Sequence, residues 1–190
     1  MTRTKRICTV CLIILLAIGV GIATHLLWNY FDQKSHQKSY EEIVKNCSEE
    51  YDVPEHLIFS VIKVESDFDP YARSSVGAVG LMQMMPSTFE WLTGEEHLNE
   101  NLSALRLTDP EVSIRYGTYY LRYLYLKFGN WDTVLAAYNG GEGNVAKWLD
   151  DPEYSDGQGN LTYIPFEETR NYVKKVNDAM ATYDKQNNQN

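Results

Sequence analysis

In the stretch HLIFSVIKVES, residues 56–66, Leu57, Ile58, Val61 and Glu65 fall at i, i+1, i+4 and i+8. That spacing marks the buried stripe of a helix, and a carboxylate stands where it calls for another apolar side chain. A lone ionised glutamate turned toward a core is costly unless it is paired or keeps its proton. Desolvation raises its pKa, and a carboxyl titrating near neutrality is what a general acid needs. Plainer readings compete: a different helix face, a salt bridge, or a cap at the helix end. The cap is the weakest, because a negative charge near a helix C-terminus opposes the helix dipole.

The residues that follow Glu65 add to the chemical reading. SSVGAVG, residues 74–80, is a turn whose hydroxyls and glycine amides can approach a ligand or orient a carboxylate. Met82, Met84 and Met85 read as core material, and alternation turns Gln83 away from Met82 and Met84. An amide among methionines suits the wall of a cleft. Further on, AAYNGGEGN ends a helix on Tyr138 and Asn139 before two glycines, which presents a phenol and an amide at a rim. Asn139 as an ordinary left-handed helix cap is the competing reading. One acid, several neutral hydrogen-bonding groups and many aromatics suit the binding and cleavage of a sugar chain. His25, His36, His56 and His97 are scattered without metal-ligand spacing, and no metal or cofactor is expected.

These groups require helices to hold them. Tyr40, Ile43, Val44 and Cys47 predict an amphipathic helix over 39–50. Asp52, Pro54 and Glu55 restart the chain with a capping pattern, and the new helix ends near Glu65 and Ser66, since Asp69 precedes Pro70. Pro86 opens a short helix closed by Gly94. A longer one has Thr108 or Asp109 as cap, Pro110 in its first turn and Gly129 at its end. WDTVLAAYNGGEGNVAKWLDD reads as helix, glycine turn, helix. Residues 150–165 form a loop with room for a hairpin, and PFEETRNYVKKVNDAMATYDK is the last helix. The expected fold class is mainly α, a single domain over 40–184 with little or no β structure.

Charge and composition narrow the function classes. The chain has 190 residues, 14 of them tyrosine, and a formal net charge of −9, which argues against a nucleic-acid partner held through phosphates. Arg3, Lys5 and Arg6 precede residues 7–31, which hold no Asp, Glu, Lys or Arg. Such a run predicts a single-pass anchor with the N-terminus inside and the domain outside the membrane. A cleaved signal segment around Gly21-Ile22-Ala23, with a secreted product, is the alternative. Residues 32–39 read as a polar tether and 185–190 as a disordered tail. Cys8 and Cys11 have CxxC spacing but lie in the apolar run, where they read as small lipid-facing residues. Cys47 has no partner in the exported part, so no disulfide is expected there.

Three separate motifs, ESDFDPYARSSVGAVGLMQMMPST, AAYNGGEGNVAKW and IPFEETRNYV, resemble in order the soluble lytic murein transglycosylase family, which shares a lysozyme-like fold with goose-type lysozymes. The resemblance implies that Glu65 is the single catalytic acid/base and that Ser74 lies in the loop beside it. It implies that Met82 and Gln83 line the glycan cleft, and that Tyr138 and Asn139 flank the scissile sugar. Glu168 and Tyr172 match the ETRxYV element near the substrate, although the neighbouring Glu167 permits a shift of one residue. Gly141 stands where many relatives have Ala.

The implied reaction is non-hydrolytic cleavage of peptidoglycan between N-acetylmuramic acid and N-acetylglucosamine, closing a 1,6-anhydro ring. Asp67 and Asp69 are the candidates for a second carboxylate, but turn capping suits both better. A hydrolytic muramidase and a non-enzymatic wall-binding module remain the alternatives. The expected partners are glycan strands and, through the N-terminal segment, the membrane. A larger cell-envelope complex is left unidentified.

Overall fold

The computed structural model describes the backbone of residues 3–187 and the side chains of 11–25, 27 and 38–184. The chain divides into two units, Met1–Ser39 and Tyr40–Asn190. Helix α1 (Arg3–Tyr51) supplies the first unit and opens the second, so the residues expected as a tether have helical backbone. In the first unit Leu12, Ile13, Ile14, Leu15, Leu16, Ile18, Val20, Ile22 and Leu27 are all exposed. The expected membrane span, 7–31, falls in part on side chains outside the described ones. Among the described residues no helix is long and apolar enough to cross a membrane.

The second unit is helical, as expected. It holds the end of α1, then α2 (Glu55–Ser66), α3 (Pro86–Leu92), a 3-10 turn η1 (Ala104–Thr108), α4 (Pro110–Phe128), α5 (Trp131–Gly140), α6 (Glu142–Leu149) and α7 (Glu167–Asn187). Residues 185–187, expected as tail, continue α7, and 188–190 lie outside the described residues. Among the described residues there is no β-strand. Isolated antiparallel bridges join Arg73 to Val79, Val79 to Met84, and Ser155 to Leu161. The last of these is all that the hairpin expected in 150–165 amounts to.

Helix boundaries follow local chemistry with one exception. Asp109 caps α4 by accepting from the Glu111 amide at 3.1 Å, Pro110 fills the first turn, and Gly129 closes the helix at φ 74°. Asp52, expected to cap α2, does not. It takes a left-handed conformation (φ 54°) and pairs with Arg122 at 3.1 Å. The carbonyl of Pro54 receives the Leu57 and Ile58 amides in its place, at 3.0 and 3.1 Å. A proline at the cap position has lost only a donor that the helix start cannot use.

Two apolar clusters carry the unit. The larger gathers Tyr40, Val44 and Cys47 of α1, the Leu57–Ile62 stripe of α2, Leu121 and Leu124 of α4, the 134–137 segment of α5, and Tyr172, Val173 and Val176 of α7. Here α2 packs along α7, while α5 touches α4, α6 and α7. The smaller cluster joins Val79 and Met84 to Phe89, Leu92, Leu107, Val112 and Tyr116. Tyr120 packs against both clusters, so α4 is the element that links them.

The loop after Glu65 is pressed onto the smaller cluster at Gly80. Its φ is 85°, and a Cβ there would stand 2.0 Å from the Leu107 carbonyl oxygen, a backbone atom that cannot yield cheaply. Gly80→Ala is therefore expected to lower stability by more than about 3 kcal/mol. Urea unfolding of the variant beside the wild type checks this, and a loss under 1 kcal/mol would refute the packing argument.

Candidate active site

The last turn of α2 presents Glu65, and the helix stops at once. Asp67 and Phe68 both take left-handed conformations, φ 52° and 67°. The Asp67 amide returns to the Lys63 carbonyl at 3.1 Å, which completes a left-handed C-cap without glycine. Phe68 is buried and stacks on Tyr40 at 6.5 Å, so packing offsets the strain of its conformation. Asp69 accepts from the Tyr71 amide at 2.9 Å, and Asp67 pairs with Lys63. The two aspartates thus hold the turn.

Ser66 fastens this end to the next motif by donating its hydroxyl to the Leu81 carbonyl at 2.8 Å. In the SSVGAVG loop, Ser74 Oγ accepts from the Ala78 amide at 2.9 Å, which leaves its own proton free to donate. Gln83 is held at φ 44°, and its Nε2 donates to the Ala72 and Gly80 carbonyls at 3.1 and 2.9 Å. It therefore ties the two motifs together with its donor end.

Met82 corrects an expectation. Its side chain is completely buried instead of lining a cleft. The sulfur lies where a Cβ at Gly117 would approach to 2.3 Å, so the thioether fills the space opposite a glycine of α4. Its backbone carbonyl is what reaches the site, accepting the Tyr138 hydroxyl at 2.8 Å.

Tyr138 and Tyr172 converge on Glu65. Burial pushes the Glu65 pKa up to about 7, and the Tyr172 phenol pulls it back part of the way. Both phenols are themselves pushed well up, by burial and then by the nearby Glu65 charge. The Tyr172 hydroxyl is buried and has no protein partner at full hydrogen-bond geometry. It stands near enough to favour the carboxylate without closing a bond to it. No other carboxylate, among the described residues, is a cause of the Glu65 shift.

Two further expected site residues are exposed. Asn139 is exposed and lies inside α5, which continues to Gly140 and is capped by Gly141 at φ 87°, so Asn139 is not a left-handed cap. Glu168 is exposed on the first turn of α7, one turn before Tyr172. Tyr120, whose ring lies 5.5 Å from that of Tyr138, was not singled out from sequence. The tyrosines at 120 and 123, one helical turn apart on α4, were the available signal. Among the described residues no three His, Cys, Asp or Glu side chains are gathered to hold a metal ion.

Comparison with known proteins decides the family. The model of the transglycosylase SLT domain matches residues 42–159, more than half of the chain. The chain belongs to that family. It is 36% identical over 153 residues to the soluble lytic murein transglycosylase of Escherichia coli, covering 79% of this chain and 23% of that protein. With membrane-bound lytic murein transglycosylase C of Serratia proteamaculans it shares 31% over 188 residues, covering 86% and 51%. Among solved structures, the lytic transglycosylase Slt of Pseudomonas aeruginosa, an inactive glutamate-to-glutamine mutant, matches with a TM-score of 0.69 at 34% identity, covering 78% of this chain and 24% of that one. The 70 kDa soluble lytic transglycosylase of E. coli gives 0.68 at 37%, covering 76% and 24%. The chain thus spans about a quarter of the soluble relatives and about half of the membrane-bound one.

The desolvation of Glu65 has a sign that can be measured. With a folded pKa of about 7 against an ordinary 4.5, the fold is favoured by the protonated group below pH 4.5 and loses that advantage as pH rises through 7. The full loss is about 3 kcal/mol above pH 7. Glu65→Gln is expected to be the more stable protein at pH 8, with the gap closing toward pH 4.5. Thermal melts of the two across that range check it, and a pH-independent difference would refute it.

Proposed function

We propose that this SLT domain is a peptidoglycan lytic transglycosylase with Glu65 as its sole acid and base. The observation that carries the reading is a single carboxyl at the end of α2, pushed up to about 7 by burial and pulled back by the Tyr172 phenol, with no second carboxylate among the described residues acting on it. The names of the relatives, lytic murein transglycosylases, support the substrate class.

In the reaction proposed, protonated Glu65 gives its proton to the glycosidic oxygen between N-acetylmuramic acid and N-acetylglucosamine. The C1–O bond breaks as the muramyl acetamido oxygen stabilises C1. The C6 hydroxyl then attacks C1, its proton passes to the Glu65 carboxylate, and the 1,6-anhydro ring closes with the acid regenerated. A residue that is acid and then base needs a pKa near the working pH. Tyr138, whose hydroxyl donates to the Met82 carbonyl, is proposed to flank the scissile sugar. Ser74, Gln83, Asn139, Glu168 and Tyr172 are the proposed substrate-side groups, and Met82 contributes its backbone.

The N-terminal segment is proposed to anchor the domain outside the cell membrane. The row of exposed aliphatic side chains from Leu12 to Leu27 supports this, because such a surface is unfavourable in water.

Digestion of purified peptidoglycan, read by mass spectrometry, tests the reaction. Anhydromuramic ends are expected, whereas reducing muramic ends would favour a hydrolase. Glu65→Gln is expected to lose activity by about 10³-fold or more. Unchanged wall lysis would refute the site.

The pH profile tests the single-acid mechanism. Activity is expected to fall in one ionisation near pH 7, without the acid limb that a second carboxylate would add. Tyr172→Phe removes the group that lowers the Glu65 pKa, so the fall should move to higher pH. A shift downward, or none, would contradict that role.

A further inference from the structure

From Tyr138 a chain of aromatic rings continues along α4 to α3. The Tyr138 ring lies 5.5 Å from Tyr120, and Tyr120 stacks with Tyr123 at 6.2 Å. Trp91 of α3 meets Tyr120 at 6.4 Å, Tyr123 at 5.1 Å and His97 at 4.1 Å, each edge to face. Despite these contacts Trp91 remains 38% exposed. A large apolar ring left in water is unfavourable unless something covers it.

The surrounding groups are fixed. His97 Nδ1 lies 3.1 Å from the Tyr119 hydroxyl. The loop that carries His97 is bound to α4, because Glu100 pairs with Arg115 at 2.7 Å and accepts from Tyr116 at 2.8 Å. Arg115 accordingly holds the Glu100 carboxyl below its usual range. The indole is thus preorganised, and little side-chain freedom remains to be lost on binding.

We infer that Trp91, backed by Tyr123 and His97, is a stacking platform for an N-acetylated sugar ring of the same strand, one ring beyond those at Tyr138 and separate from the bond that Glu65 acts on. This rests on the glycan-cleaving function proposed above. Continuity with Tyr138 through Tyr120 selects a sugar chain over a separate protein partner. The C–H face of a pyranose is apolar and matches an aromatic face, while hydroxyls at the ring edge suit the phenols and imidazole around the indole. Trp91 then acts on affinity for long strands and not on the chemical step.

The test uses the full chain carrying Glu65→Gln, titrated calorimetrically with peptide-free glycan strands of alternating N-acetylglucosamine and N-acetylmuramic acid, of two and of six sugars. The six-sugar strand is expected to bind more tightly. Adding Trp91→Ala should weaken six-sugar binding by about tenfold or more and leave two-sugar binding unchanged. Trp91→Phe should recover most of the loss, and thermal melts verify that both variants fold. In the active enzyme Trp91→Ala should raise KM on long strands with kcat retained. Equal six-sugar affinity with and without Trp91 would overturn the platform while leaving the proposed reaction standing. If strands of neither length bind, and the wild type releases nothing from peptidoglycan, the glycan reading itself fails and the platform with it.

Discussion

A carboxyl keeps its proton near neutral pH only where water is largely held away from it, and at the last turn of α2 the half-buried Glu65 is desolvated enough to be pushed up to about 7. The apolar stripe of α2 packs on α7, and the same contact brings the buried Tyr172 beside Glu65. Termination within two residues of Glu65, by left-handed Asp67 and Phe68, leaves the carboxyl at the half-buried end of the helix instead of inside the core. A looser α2 would hydrate it and return its pKa to the ordinary range.

The surroundings are fastened mainly through backbone carbonyls. Ser66 holds Leu81, Gln83 holds Ala72 and Gly80, and Tyr138 holds Met82. The Ser66 and Tyr138 bonds draw the 72–84 loop onto α2 and α5, while the Gln83 bonds close the loop on itself. The loop has no sheet to stabilise it, only isolated bridges, so these side-chain bonds and the close approach at Gly80 set its shape. Rigidity of this kind preorganises a site at some cost in stability, as the desolvated Glu65 itself does.

Much of this was legible in the chain. Helix positions followed from caps, prolines and apolar spacing, because those signals are local. Glu65 stood out as a polar residue on an apolar stripe, and the three motifs identified its family. The Asp52 cap was misread because a competing ion pair with Arg122, distant in sequence, took that carboxylate. Met82 was misread for a related reason. A motif match cannot say whether a side chain or its backbone reaches the site, and only the packing against Gly117 decides that.

The sequence by itself determined a mainly helical domain, an apolar N-terminal run, and one acid placed to be desolvated. Periodicity and charge count are properties of the chain alone. Tertiary structure decided how far the acid is desolvated, that two phenols share its surroundings, and that no second carboxylate among the described residues acts on it. It also decided that Asn139 and Glu168 lie exposed and that an aromatic path runs from Tyr138 to Trp91. These depend on which helices pack together, and packing between residues far apart in the chain leaves no local signal in it.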